Sequence, residues 1–430
     1  MLLDILTVLG VMAAGHQGAL ADPSAGLLRQ PPPQMGLSDV CPWSPLSAVA
    51  ATCGGRLARE QARLDTPATS RQNQTETATE APKSAWVGGK RCAGVFCLWA
   101  NREYAGGRGI VVITDPLNLE KVKQREAGLI ALQAARDTLP PPSYDIQTVG
   151  DKGLGLVANK SLGRGDDLMA HAPVLLVHRT FVEQFPTSKK HPILDYVPTL
   201  MPSTTRRLFV RQKGHFGGHK ITDILTTNSF QMDLGGDSDG HHYGNFPEVS
   251  RFNHDCRPNA VFRIGEDMVH RTTVIRDVAP GEELTISYLD PMGQRASRRK
   301  RAKAAWGFEC TCSQCSASEE AAEASDARLR EIDALEKKLS DFQQKVTLDM
   351  VERYIGLFRT ERLEAKMFGA YTTAALNCNL LGKEKMAREY ALLAVQAGLL
   401  ENGPGAADVT AMRELAADPR KHFTWSRRLS

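Results

Sequence analysis

Three cysteines crowd into six positions at Cys310-Thr311-Cys312-Ser313-Gln314-Cys315, and no other stretch constrains the chain as strongly. Thiols this close cannot satisfy one another as disulfides without strain, whereas three thiolates can wrap one Zn²⁺ at about 2.3 Å each. A closed tetrahedral site then needs a fourth sulfur or an imidazole. Cys256 and Cys378 are the eligible cysteines of the second half, and Cys256 is preferred because its surroundings are unusual. Asn253, His254, Pro258 and Asn259 lie around it, between β-like runs. They make a poor strand and a poor helix, and read as a turn whose side chains and backbone serve a site.

Two further stretches belong with these. In "APGEELTISYLD", Ala279 to Asp290, a Pro-Gly turn precedes Leu284, Ile286 and Tyr288, which alternate with Thr285 and Ser287. Tyr288 thus shares a face with two apolar residues, and an inward ring needs a partner for its hydroxyl. Gly153-Leu154-Gly155 stands before an apolar run, where glycine lets backbone approach a ligand closely. It lacks the full dinucleotide fingerprint and the helix that should follow one.

Composition narrows the classes. At 430 residues there is room for two or three domains, and 42% hydrophobic with 24% charged residues is ordinary for a soluble globular protein. A net charge of +4 is too mild to argue for nucleic acid, and no direct nucleic-acid motif is present. The basic run "QRASRRKRAKAAW", 294–306, reads as the solvated face of a helix, with a nuclear-targeting or acid-binding patch as the alternative.

The chain divides into five stretches. Residues 1–21 resemble a secretory signal peptide, with a short apolar run before Ala19-Leu20-Ala21 but with Asp4 and no basic residue ahead of it. The run is too short and interrupted to span a membrane. A cleaved signal implies the secretory pathway, and its absence the cytoplasm or nucleus. Residues 22–140 hold Cys41, Cys53, Cys92 and Cys97, which would pair as disulfides in an oxidising compartment, and two low-complexity linkers, 29–34 and 66–84. The Asn73 sequon matters only in a secreted chain. "AGGRGIVVITDP" predicts a strand entering a turn at Asp115-Pro116, and 118–136 has helical spacing before a "LPPPS" break.

Residues 141–292 predict an irregular, strand-rich domain with few long helices, with strands in "YDIQTV", "GLVANKSL", "DLMAHAPVLLVHR", "NAVFRI" and "MVHRTTVIRDV". Within it, 235–245 reads as a loop, and its His241-His242 pair as exposed histidines rather than metal ligands. Residues 293–318 contain the cysteine cluster. Residues 319–430 are helical, read as a cap on the preceding domain, with a peptide-binding surface as the alternative.

Taken together, the order and wording of these motifs resemble the SET-domain protein-lysine methyltransferases, of the SET-and-MYND class and related fungal proteins. The residues that carry the resemblance are "GLG" at 153–155, "NSF" at 228–230, "NHDCRPN" at 253–259, "GEELTISY" at 281–288 and "WGFECTCSQC" at 306–315. The match runs from about Tyr144 to Ser318. It implies an α+β fold: an irregular, short-stranded SET domain with a pseudo-knot through Asn253–Cys256, a zinc-bound post-SET segment and a C-terminal α-helical region.

The resemblance also implies site roles. Lys152, Gly153, Leu154, Gly155, Asn228, Asn253, His254 and Phe308 would hold S-adenosyl-L-methionine. Tyr288 would be the catalytic tyrosine, and Phe230 and Trp306 would line the channel for the substrate lysine. Cys256, Cys310, Cys312 and Cys315 would bind a structural Zn²⁺. The expected partner is a protein presenting a lysine, a histone among the candidates. Asp255 stands where serine is commoner and Trp306 where tyrosine is common, and no MYND-type insert is present. Two other readings compete: a non-catalytic, zinc-stabilised SET module for protein–protein interaction, and a secreted disulfide-bearing protein whose SET region is a relic.

Overall fold

The structure, a computed structural model, describes residues 12–13, 85–126, 128–129, 142–235 and 239–428. Most of the signal-like segment, Cys41, Cys53, the Asn73 sequon and both linkers lie outside the described residues. No described helix is long and apolar enough to cross a membrane.

In chain order the strands are Met12–Ala13 (β1), Trp86–Ala93 (β2), Phe96–Asn101 (β3), Ile110–Thr114 (β4), Tyr144–Thr148 (β5), Leu154–Ala158 (β6) and Asp167–His171 (β7). They continue with Leu175–His178 (β8), Ser229–Asp233 (β9), His241–Asn245 (β10), Asn253–His254 (β11), Ala260–Ile264 (β12), His270–Val274 (β13) and Glu283–Ile286 (β14). Three sheets result: β1-β9-β10-β8-β4-β3-β2, β11-β14-β6-β5 and β12-β13-β7. With the helices below, the architecture is α+β with small sheets and a helical C-terminal region.

β4 reads Ile-Val-Val-Ile-Thr, a β-branched run buried at every position. That pattern suits a strand covered on both faces, and β4 pairs parallel with β8, Val112 opposite Leu176. Strands β2–β4 therefore lie in one sheet with β8, β9 and β10. Cys92 and Cys97 face each other across the β2–β3 hairpin and are disulfide-bonded.

Three expectations need correction. The chain does not turn at Asp115-Pro116. Asp115 caps a helix, Pro116–Gln124 (α1), accepting from the backbone N–H of Leu117 at 3.0 Å and Asn118 at 3.1 Å, while Pro116 takes the first turn, where no N–H is needed. Second, residues 179–228 are helical: Arg179–Gln184 (α2), Thr187–Leu194 (α3), Ser203–Val210 (α4) and Lys220–Asn228 (α5). These helices escape pattern reading because they are short, α3 holds Pro192, and α2 and α5 are capped by the imidazoles of His178 and His219. Third, 241–245 is strand β10, not loop. It pairs with β8 on one side and β9 on the other, and His242 is buried with Nε2 2.8 Å from the Thr114 hydroxyl. Ladder pairing on both edges outweighs a glycine-rich composition.

After β14 comes Arg295–Trp306 (α6), which buries Arg298, Ala302, Ala305 and Trp306 and leaves Arg299, Lys300 and Lys303 to solvent. The basic run is thus a solvated helix face. The C-terminal helices are Glu319–Ser340 (α7), Leu348–Thr360 (α8), Met367–Leu380 (α9), Glu384–Glu401 (α10) and Ala407–Ala417 (α11). They enclose an apolar core of their own, including Ile332, Tyr354, Ala374, Ala391 and Leu415. A second core joins β6, β12–β14, Cys256, Trp306 and the three clustered cysteines.

Candidate active site and metal cluster

The site is assembled where β11 lies parallel to β14, with Asn253 opposite Thr285 and His254 opposite Ile286, and β14 lies antiparallel to β6. Side chains lock this small sheet. Asn259, almost fully buried, accepts from the Thr285 N–H at 2.8 Å and donates to the Glu283 carbonyl at 2.8 Å. Asn253 donates to a Glu283 carboxylate oxygen at 2.8 Å and approaches the Leu154 carbonyl at 3.4 Å. Lys152 holds the other Glu283 oxygen at 2.5 Å.

Gly153 and Gly155 have different reasons to be glycine. Gly153 has φ +82°, the left-handed region that closes the Gly150–Lys152 turn. A Cβ on Gly155 would lie 2.7 Å from Asn253 Nδ2 and 3.0 Å from a Glu283 oxygen. Lys152, Gly155, Asn253 and Glu283 therefore form one cluster at the ends of β6, β11 and β14. Sequence reasoning passed over Glu283, although it lies inside the "GEELTISY" motif.

His254 is buried, and burial pushes its imidazole down to about 4, so it is neutral at physiological pH. Its Nδ1 accepts from the Tyr288 backbone N–H at 3.0 Å. The single remaining proton is then on Nε2, 3.3 Å from Cys256 Sγ, to which it donates. Both ring nitrogens are committed within the protein.

Tyr288 follows β14 and donates its hydroxyl hydrogen to the Phe252 carbonyl. Burial, with the negative charge of Glu283, pushes its phenol above the ordinary value, so the group keeps its proton and acts as a donor. Its ring lies 5.4 Å from those of His254 and Trp306 and 6.2 Å from that of Phe308. Trp306 ends α6, and Gly307 in the left-handed conformation (φ +72°) reverses the chain so that Phe308 joins the same wall. His215 packs so closely on Gly307 that a Cβ there would be 1.9 Å from its ring. The Trp306 Nε1 is buried and has no hydrogen-bond partner among the described residues. Beside Tyr288 a cavity of about 150 Å³ is lined by Phe262, Ile286, Ser287 and Leu289 and by Ala365 and Lys366 of the C-terminal region.

Two further expected site residues, Asn228 and Phe230, lie on α5 and β9, with Phe230 in the same core as Trp306. Asn228 donates to the Lys213 carbonyl at 2.9 Å and the Ile224 carbonyl at 3.0 Å, closing the end of α5. Phe230 is fully buried, edge-on to Phe246, Phe262 and His270 at 4.7–5.8 Å.

The four cysteines meet. Cys256, Cys310, Cys312 and Cys315 are all buried, with their sulfurs within 4.8 Å of one another. Cys256 Sγ is 4.0 Å from that of Cys310 and 3.7 Å from that of Cys315, far beyond disulfide length. A tetrahedron with metal–sulfur arms of about 2.3 Å has edges of about 3.8 Å, so the set could hold one tetrahedral ion. The buried Arg298 guanidinium lies beside the cluster, and although burial opposes its charge, the Cys256 and Cys315 sulfurs hold it protonated. Neither Arg298 nor Glu283 was singled out from sequence.

Residues 153–289, which carry β6 to β14, match the family model described as "SET domain". The chain is similar to the fission yeast (Schizosaccharomyces pombe) "Histone-lysine N-methyltransferase set5", at 26% identity over 208 residues, covering 45% of this chain and 55% of that protein. It is also similar to the human "Histone-lysine N-methyltransferase SMYD3", at 42% over 74 residues, 17% of each chain. The chain thus spans about half the length of the first relative and a sixth of the second. Among solved structures it resembles "ctPRC2 in an autoinhibited conformation bound to S-adenosylmethionine", at 16% identity, covering 68% of this chain and 34% of that one with a TM-score of 0.22. A likeness at that score carries no argument here.

Proposed function

We propose that the chain is an S-adenosyl-L-methionine-dependent protein-lysine N-methyltransferase. One observation carries this reading: a half-buried Tyr288, its hydroxyl held by the Phe252 carbonyl, packs on the Trp306–Phe308 wall beside the small sheet that holds the Gly155–Asn253–Glu283 cluster. Residues 141–292 are the SET domain on this reading, 293–318 the zinc-bound post-SET segment and 319–430 the helical region. The parallel β11–β14 pairing supports a segment threaded through the fold at Asn253–Cys256.

The donor set suits both implied groups. The backbone at Lys152–Gly155, with Asn253, would hold the cofactor on the β6–β11 side, and the unpartnered Trp306 Nε1 offers a further donor beside Tyr288. When bound, the cofactor would supply an electrophilic methyl to the neutral lysine amine, with S-adenosylhomocysteine as its demethylated product. A free lysine ammonium has a pKa near about 10.4. The rings of Tyr288 and Trp306 disfavour that charge by desolvation and help the amine lose its proton to solvent. Tyr288, unable to serve as a base, contributes a donor and a wall that orients the amine. A zinc ion held by four thiolates has no open coordination position and would be structural, pinning Cys310–Cys315 beneath Phe308. The substrate is a protein lysine, with histones as the first candidates because the relatives are named for them.

The test is cofactor binding by calorimetry and methyl transfer from labelled S-adenosyl-L-methionine to core histones, with zinc content measured on the same sample. Tyr288→Phe is expected to keep cofactor binding and lose about a hundredfold or more in transfer. A chain that binds no cofactor is not the enzyme, and the non-catalytic module takes its place.

A further inference from the structure

The proposed chemistry leaves Arg257, a charge of the Asn253–Asn259 motif, without a role. Arg257 follows the cluster cysteine Cys256, and its side chain is 3% exposed. It faces Glu361, at the end of α8, whose side chain is 1% exposed. The guanidinium donates to the Glu361 carboxylate at 2.8 Å and to the Glu361 carbonyl. It also donates to the carbonyls of Cys256 at 2.8 Å and Pro291 at 3.1 Å. From the other side the carboxylate accepts from Ser325 at 2.7 Å and Arg328 at 2.6 Å, both on α7. A single carboxylate thus ties two C-terminal helices to the peptide of a cluster ligand and to the segment three residues beyond Tyr288.

We propose that Glu361 is a positioning residue for the transfer site, acting through Arg257. A buried ion pair is a poor source of stability, since apolar pairs of the same size often replace it without loss. It does hold geometry: the Arg257 fork fixes the Cys256 and Pro291 carbonyls at once, and so sets Cys256 and Tyr288 relative to each other. The helical region then belongs to the site and is not merely a cap. The cofactor half of this inference rests on the methyltransferase reading; the metal half does not.

The test uses the full chain and compares Glu361→Gln, the double variant Arg257→Met/Glu361→Met and, as a control, Leu415→Ala on α11 in the helical core. Three quantities are read: thermal midpoint, the rate of zinc release to a chelator, and S-adenosyl-L-methionine affinity. Glu361→Gln is expected to release zinc about tenfold faster and to bind cofactor about tenfold more weakly. The double variant should regain its thermal midpoint but keep both defects. Leu415→Ala should lose midpoint while keeping both wild-type values. If zinc release and affinity simply follow the midpoint, or are normal in the double variant, the pair is structural and the inference fails. If Glu361→Gln does not fold, the double variant decides. If the wild type binds no cofactor, the methyltransferase reading falls, and zinc release alone decides the role of Glu361.

Discussion

Cys256 and His254 are separated by one residue, yet they act on the same small volume. The imidazole bridges the Tyr288 backbone N–H and the Cys256 sulfur, so the four-cysteine cluster and Tyr288 share an intermediary. Cys256→Ser is therefore expected to release zinc and weaken cofactor binding together. Zinc by atomic absorption and cofactor affinity on one sample would check this, and full zinc occupancy in the variant would break the link. Cys256 itself was legible, because three clustered thiols demanded a fourth ligand. Its links to His254 and Arg298 were not, since neither a tautomer nor a neighbouring helix can be read from spacing.

Among the elements, α6 decides where the aromatic wall stands. Its last residue is Trp306, and Gly307 turns the chain with φ +72° beneath His215. Gly307→Ala is expected to destabilise the protein by about 1–3 kcal/mol, from the left-handed backbone and the His215 contact together. His215→Ala in the same chain should restore part of that loss in a denaturant titration, and a single variant with an unchanged midpoint would rule out the strain. The short strands β5, β6, β12 and β13 were expected from their β-like runs. The helices α2–α5 and the strand β10 were hidden, because histidine caps and two-sided pairing leave little local trace.

For the molecule as a whole, one ion pair reinforces the pairing that joins the N-terminal strands to the rest of the fold. Arg108, just before β4, grips Glu248 with two bonds of 2.7 Å and donates to the Ala172 carbonyl at 2.9 Å. Burial would raise the Glu248 carboxyl, but the Arg108 hydrogen bonds and charge outweigh it and hold the group at about 2. A carboxylate lowered in the folded state contributes stability that is complete above its ordinary value of 4.5 and is lost as pH falls toward 2. Glu248→Gln is expected to flatten that acid limb of the stability curve, measured by urea unfolding from pH 5 to pH 2. An acid limb as steep as that of the wild type would assign the loss to other carboxylates.

Local chemistry was enough to specify the thiolate set, the strand alternation, the turn glycines and the helical tail, because each depends on residues a few positions apart. Contacts between distant residues had to wait for the folded chain. Sequence spacing carries no information about which carboxylate will meet Arg257, 104 residues from Glu361, or which strand will cover β4. Those choices follow from burial, which leaves a charge or a backbone edge no alternative to the partner that the packing brings to it. "NHDCRPN" was thus readable as a site, whereas its attachment through Arg257 to the C-terminal helices was decided by the tertiary structure.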